Sequence, residues 1–255
     1  AAEHGSRPGG DAPEVLLTVR FVGDGRPIYV PVTYRGKTYQ FILDTGSTWC
    51  VFDEALKPPD TRPASLTKVM TPAGPREVGT YRCPPAMMGK IDLSAGGTAI
   101  FMDLSLLREE TGDDIRGVVG MSALRKYALG MDFDRGVLAV FAPPAQVPPA
   151  WGAAFPLRFS RQGLPLVTAS MPADIECPFL IDTGQTATGC LNEALFDYLV
   201  EARDLPTTTQ RVATADGVTT MRAARVPHVS VGRFRVEDAV IGQSGGPTCV
   251  INQSL

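Results

Sequence analysis

One six-residue plan occurs twice in this chain and limits its fold more than any other feature. Phe41-Ile42-Leu43-Asp44-Thr45-Gly46 reappears as Phe179-Leu180-Ile181-Asp182-Thr183-Gly184: an aromatic, two branched aliphatics, then the same tripeptide. A continuous apolar run of this kind reads as a buried strand, here one that ends in a carboxylate. A single Asp-Thr-Gly would be no more than a turn, with Asp accepting local backbone hydrogen bonds and Gly supplying a positive φ. Two copies at matching places argue for a shared role. The parts downstream recur as well. Val69-Met70-Thr71-Pro72-Ala73-Gly74 and Val212-Ala213-Thr214-Ala215-Asp216-Gly217 are hairpin candidates, and Asp216-Gly217 between apolar residues is a strong turn signal. Each half then carries an apolar pair, Val118-Val119 before Gly120 and Val250-Ile251 before Asn252. The same order of parts, met twice, implies a tandem duplication.

Composition agrees with such a plan. The 255 residues suit one large domain or two small ones, and 26 Gly with 22 Pro favour a turn-rich β chain over a helical bundle. A net charge of -3 argues against a nucleic-acid partner, and prolines interrupt the best candidate for a membrane span. The expected class is therefore all-β: mostly strands with a few short helices. Strands are expected at Glu14–Val22, Pro27–Tyr34 and Thr38–Leu43, the last two joined by a turn at Arg35-Gly36-Lys37. One helix is expected at 192–203 with Asn192 as N-cap, and a shorter one after Ser122, stopped by Gly130. The Pro-rich segment 142–152 reads as a stiff linker. It separates a lobe over 14–141 from a lobe over 153–255, with 1–13 as a flexible tail. From its Asp, the first lobe runs 96 residues to Val140, and the second has only 73 before Leu255. The C-terminal lobe is therefore expected to lack its final helix and strand. The tail fits a tag remnant or a processed exported chain, which leaves the compartment open.

The repeated residues suit general acid–base chemistry. Two adjacent carboxylates cannot both ionise cheaply, so the pair shares a proton. The ionised partner can take a proton from water while the protonated one polarises a carbonyl. Gly after Thr lets backbone N–H groups reach the carboxylate with no Cβ in the way. Thr45 and Thr183 are placed to donate hydroxyl hydrogen bonds to the opposite loop, and Ser47 to the outer oxygen of Asp44.

On FILDTGST (41–48), FLIDTGQT (179–186), the two hairpins and Val118-Val119-Gly120, the chain resembles the retropepsin-like aspartic peptidases in single-chain, two-lobed form. The resemblance covers roughly Glu14 to Leu255. It implies an acid-protease-like β-barrel architecture and one catalytic Asp per lobe, Asp44 and Asp182. Thr45, Gly46, Ser47, Thr183 and Gly184 would support the active-site loops. It implies neither metal nor organic cofactor, and a peptide or protein substrate held in extended form under flaps. The flap residues would be Thr71 and Gly74 in one lobe, and Thr214, Asp216 and Gly217 in the other. Gln185 stands where the first copy has Ser47, so Asp182 lacks the hydroxyl neighbour of Asp44. The alternative reading is a catalytically silent, peptide-binding relative of the same fold. A monomer is expected, unless another chain completes the C-terminal lobe.

Other signals are weaker. The five cysteines form no Cys-x-x-Cys pair and lie far from both histidines, which disfavours zinc and dithiol redox chemistry. They read as buried thiols, with one or two disulfides as the alternative. His4 and His228 have no Ser or Cys in a nucleophile context. Met131-Asp132-Phe133-Asp134 reads as a hairpin turn, and Arg108-Glu109-Glu110 with Asp113-Asp114 as a solvated loop.

Overall fold

The computed structural model describes residues 13–23, 26–71, 74–143, 152–185, 189–214, 217–246 and 248–251. The tail 1–12, most of the Pro-rich segment, Asp216 and Asn252 lie outside them. The protein is all-β in class, with twenty strands and three α-helices among the described residues. Strand periodicity is plain in the burial: along Tyr29–Tyr34, Val30, Val32 and Tyr34 point inward while Pro31 and Thr33 face solvent.

The N-terminal half opens with β1 (Val15–Arg20), β2 (Tyr29–Tyr34), β3 (Lys37–Leu43) and β4 (Cys50–Asp53). The hairpin β5 (Ser65–Thr71) and β6 (Gly74–Arg82) follows, then β7 (Ala86–Met88), β8 (Ile91–Asp92) and β9 (Thr98–Met102). Helix α1 (Ser105–Thr111) leads to β10 (Ile115–Val119), and helix α2 (Met121–Leu124) to the hairpin β11 (Ala128–Asp132) and β12 (Val137–Phe141). The C-terminal half contains β13 (Arg158–Phe159), β14 (Pro165–Met171), β15 (Ile175–Ile181) and β16 (Gly189–Asn192). After α3 (Glu193–Arg203) come β17 (Thr207–Thr214), β18 (Gly217–Val231), β19 (Phe234–Ser244) and β20 (Cys249–Ile251).

Seven strands of each half form a sheet in one common order. The nine-stranded sheet contains β5-β6-β9-β4-β10-β3-β2, and the eight-stranded sheet β17-β18-β19-β16-β20-β15-β14. The directions agree rung for rung. β3 runs parallel to β10 as β15 does to β20, and β4 runs antiparallel to β10 as β16 does to β20. A third sheet, β1-β12-β11, has no such counterpart among the described residues.

Each half buries one large apolar cluster. Phe41, Phe52 and Val119 anchor the first, Phe179, Leu191 and Ile251 the second. What covers them differs. In the N-terminal half, α2, β7–β8 and β12 supply Met121, Leu124, Met88, Ile91, Leu138 and Val140. In the C-terminal half, α3 lays Phe196 and Leu199 onto the cluster. Asn192 caps α3 by accepting from the Leu195 N–H (3.1 Å), as the sequence predicts.

Two local expectations are corrected. Ser122 lies inside α2 rather than capping it, and Gly120 holds the cap position. That helix ends at Leu124, because Ala128–Asp132 pairs along its whole length with Val137–Phe141, taking Gly130 into a strand. The stretch around Arg108 is helix α1, not a solvated loop: Leu107 packs on Ile42, Ile115 and Val118. The turn at 132–136 is as expected, with Asp132 accepting from the Arg135 N–H (2.9 Å). Among the described residues, no helix is long and apolar enough to cross a membrane.

Candidate active site

The two Asp loops are built by the same strand trio. The Asp44 N–H donates to Val119 O at the end of β10 (3.0 Å), and the Asp182 N–H to Ile251 O at the end of β20 (2.9 Å). Central strands buried on both faces demand the apolar run before each Asp. The chain can turn only where the ladder ends, so the carboxylate emerges there.

Within each loop the carboxylate is held by the backbone. Asp44 Oδ1 accepts from the N–H groups of Gly46 (2.7 Å) and Ser47 (3.0 Å). Asp182 Oδ1 accepts from those of Gly184 (2.8 Å) and Gln185 (3.2 Å). Between the loops, the threonines cross. Thr45 Oγ1 donates to Ile181 O (2.7 Å), Thr183 Oγ1 donates to Leu43 O (2.8 Å), and each oxygen accepts the other's backbone N–H at 3.1 Å. Both side chains are buried. Buried hydroxyls that each donate one hydrogen bond and accept another across the gap fix the spacing of the two loops.

That spacing brings the carboxyls together. The Asp44 and Asp182 carboxyls are hydrogen-bonded to one another. Each glycine lies against the opposite acid: a Cβ on Gly46 would stand 2.4 Å from Asp182 Cγ, and one on Gly184 2.6 Å from Asp44 Cγ. Burial pushes the Asp44 carboxyl well above the ordinary carboxylate range, and the charge of Asp182 adds to the push. Burial also raises Asp182, while hydrogen bonds from Asp44 and the Gly184 and Gln185 N–H groups pull it back. The hydrogen bond that raises one partner lowers the other, so the two carboxyls titrate as a pair.

The remaining expected residues fall as follows. The Ser47 hydroxyl donates to Trp49 O (2.9 Å) and not to Asp44; only its backbone N–H serves the carboxylate. The reason is the anchoring of the 47–49 segment, whose carbonyls accept from the N–H groups of Met121 and Ser122. Gln185 Nε2 reaches Cys190 Sγ (3.3 Å) within its own half. Thr71 and Gly74 form the last rung of the β5–β6 hairpin, and Thr214 and Gly217 that of β17–β18. The tips, 72–73 and 215–216, lie outside the described residues.

Sequence reasoning missed a buried ion pair below the first loop. Asp53, 2% exposed, is bonded by Arg108 of α1, which also donates to Ile115 O on β10. Asp53 accepts from the Ala55 N–H as well, capping a short 3-10 turn. Nothing local in the sequence links residues 53 and 108. The five cysteines are all free thiols. Among the described residues, no cluster of three His, Cys, Asp or Glu side chains is placed to hold a metal ion.

A mostly-β chain with paired sheets of this order has an acid-protease-like fold. Residues 167–252 match the family model described as aspartyl protease, which supports membership of an aspartyl protease family. The matched segment includes the second Asp-Thr-Gly, at Asp182. No curated protein matches the chain.

Proposed function

We propose that the protein is an aspartic endopeptidase of the retropepsin-like kind, in which one chain supplies both halves of the active site. The reciprocal packing of the two Asp loops carries this reading. Each glycine backs the opposite carboxylate, the threonines cross-link the loops, and the two carboxyls are hydrogen-bonded as a buried pair. The proposed lobes are 14–141 and 153–255, joined by 142–152. The common seven-strand order supports their origin by tandem duplication.

In the reaction, the ionised member of the Asp44–Asp182 pair takes a proton from water as that oxygen attacks the peptide carbonyl carbon. The protonated member gives its proton to the carbonyl oxygen, forming a neutral gem-diol. The first acid then gives the proton it took to the amide nitrogen while the second takes one from a gem-diol hydroxyl, which breaks the C–N bond, releases acid and amine, and restores the shared-proton state. All of this needs only groups that the two loops supply. The β5–β6 and β17–β18 hairpins are the proposed flaps, holding an extended peptide by strand-like hydrogen bonds.

The test is cleavage of a peptide library between about pH 4 and 6.5, the range in which a dyad of raised pKa keeps one proton. Asp44→Asn and Asp182→Asn, each still folded, are expected to lose about 10³-fold or more in kcat/KM. Wild-type cleavage by either variant overturns the mechanism. A second reading, the silent peptide-binding relative, draws on Gln185, whose amide is bonded to Cys190 where the first loop has a serine. Binding of a statine-type transition-state mimic without turnover at any pH would favour it.

A further inference from the structure

Four of the five thiols stand in two contacting pairs, Cys50 with Cys83 and Cys177 with Cys249. Cys177 on β15 and Cys249 on β20 place their sulfurs 3.7 Å apart, with Asn192 Nδ2 also 3.7 Å from the Cys249 sulfur. β15 and β20 are neighbouring parallel strands in register at Phe179↔Cys249; Cys249 lies in the apolar cluster of the C-terminal half and the partly buried Cys177 packs against it. The two residues are 72 apart in sequence, so a bond between them would close a long loop.

We propose that Cys177 and Cys249 are a disulfide-forming pair, oxidised by a small-molecule disulfide such as glutathione disulfide, and that the bond staples β20 to β15. This inference is independent of peptide hydrolysis, although the stapled strand is the one whose Ile251 carbonyl holds Asp182.

Access favours this pair over Cys50–Cys83, whose hydrogen bond likewise lowers one thiol and raises the other. Cys177 is partly exposed, whereas Cys50, Cys83 and Cys190 are 0%, 2% and 6% exposed. The hydrogen bond from Cys177 lowers Cys249 to about 7 and raises Cys177 itself, so the pair gives up its first proton near neutrality. Burial, by contrast, raises Cys190 to about 11. Cys177 is the more exposed of the two and is the sulfur that an outside disulfide can reach, reacting once it has lost its proton to solvent. That thiolate attacks one sulfur of glutathione disulfide and expels one glutathione. Cys249, as its thiolate, then attacks the Cys177 sulfur, forming the intramolecular bond and expelling the second. Two protons and two electrons pass to the oxidant, which leaves as two glutathione molecules.

The test is incubation of the folded protein with glutathione disulfide, followed by alkylation of free thiols and peptide mapping without reductant. The expected result is a peptide pair joined through Cys177 and Cys249, with Cys50, Cys83 and Cys190 still free. The melting temperature should rise on the order of 5–10 °C and return on reduction. In Cys177→Ser and Cys249→Ser the rise should vanish. The mapping uses the wild-type chain, so it stands even where a variant fails to fold. Cys177 recovered as a stable glutathione adduct, Cys177 recovered free, or a cross-link through any other cysteine overturns the proposal.

Discussion

The two halves share seven strands and a loop geometry that matches within a few tenths of an ångström, yet they are supported differently. The N–H groups reach Asp44 at 2.7 and 3.0 Å, and Asp182 at 2.8 and 3.2 Å. Beneath the loops the equivalence continues: Val118↔Val51 in one half corresponds to Val250↔Cys190 in the other, which makes Asp53 the counterpart of Asn192. Asp53 caps a 3-10 turn and needs Arg108, whereas Asn192 caps the eleven-residue helix α3 with no charge. The difference follows from where each half puts its helix. In the C-terminal half, α3 directly follows this position and covers the cluster around Phe179. In the N-terminal half that face is already covered, and α1 packs the opposite face around Ile42 and Val118, bringing Arg108 to Asp53. Loop geometry is the same in both halves, and the support beneath it differs.

If the loops are equivalent, breaking either should have the same effect. Gly46→Ala would place a Cβ 2.4 Å from the Asp182 carboxyl, and Gly184→Ala one 2.6 Å from that of Asp44. No Cβ fits at such distances, so each substitution must push the acids apart. Misplacing reacting groups by about 1 Å costs about 10²-fold, and both variants are expected to lose at least that in kcat/KM. A variant that keeps its activity while the other loses it would end the equivalence.

Beneath the loops the expectation is unequal. Asp53→Ala leaves the Arg108 guanidinium partly buried without its carboxylate, at a cost of about 3 kcal/mol, the lower end for a broken buried pair because Arg108 is 21% exposed. Asn192→Ala removes a neutral cap, for about 1 kcal/mol. Urea unfolding of the two variants measures the difference, and equal losses would mean that the ion pair contributes little.

The dyad itself should be a source of pH-dependent instability. The fold raises both carboxyls above their unfolded values, Asp44 the more. Such groups contribute their full stability below the unfolded carboxylate pKa, and that contribution is lost as pH rises through the folded values. Asp44→Asn removes one of the two raised carboxyls. Its melting temperature should therefore exceed that of the wild type near about pH 7, with the gap closing toward about pH 4. A gap that widens on acidification would reverse the sign and remove burial as its cause.

The repeated hexapeptide made the two loops, their strands and the crossing threonines legible, because each depends on residue types within a few positions of the Asp. Asn192 was legible for the same reason: a cap is read from its own helix. The Asp53–Arg108 pair was not, since it joins residues 55 apart through the packing of α1, and a charge-rich stretch looks the same in a loop as on a short helix. Nor was the fate of the segment after Ser122, where pairing with Val137–Phe141 outweighs a weak helical pattern. The common strand order emerged only from the pairing of strands distant in sequence, such as β3 with β10 and β15 with β20.

The smallest expected effect concerns the one position where the loops differ in residue type. A serine after Asp-Thr-Gly invites a role for its hydroxyl at the carboxylate, and a glutamine there invites doubt about the second acid. The geometry removes both inferences, because each side chain turns into its own half: Ser47 to Trp49 O, Gln185 to Cys190. Ser47→Ala should then leave kcat/KM within about threefold and its pH profile in place, and cost under about 1 kcal/mol of stability, the usual worth of one part-exposed hydrogen bond. Gln185→Ala should behave alike. A tenfold loss with a shifted acidic limb in Ser47→Ala alone would show that its hydroxyl turns to Asp44 when substrate is bound. Gln185 would then mark a real inequality between the two acids, and the silent-relative reading would gain the support it now takes only from residue type.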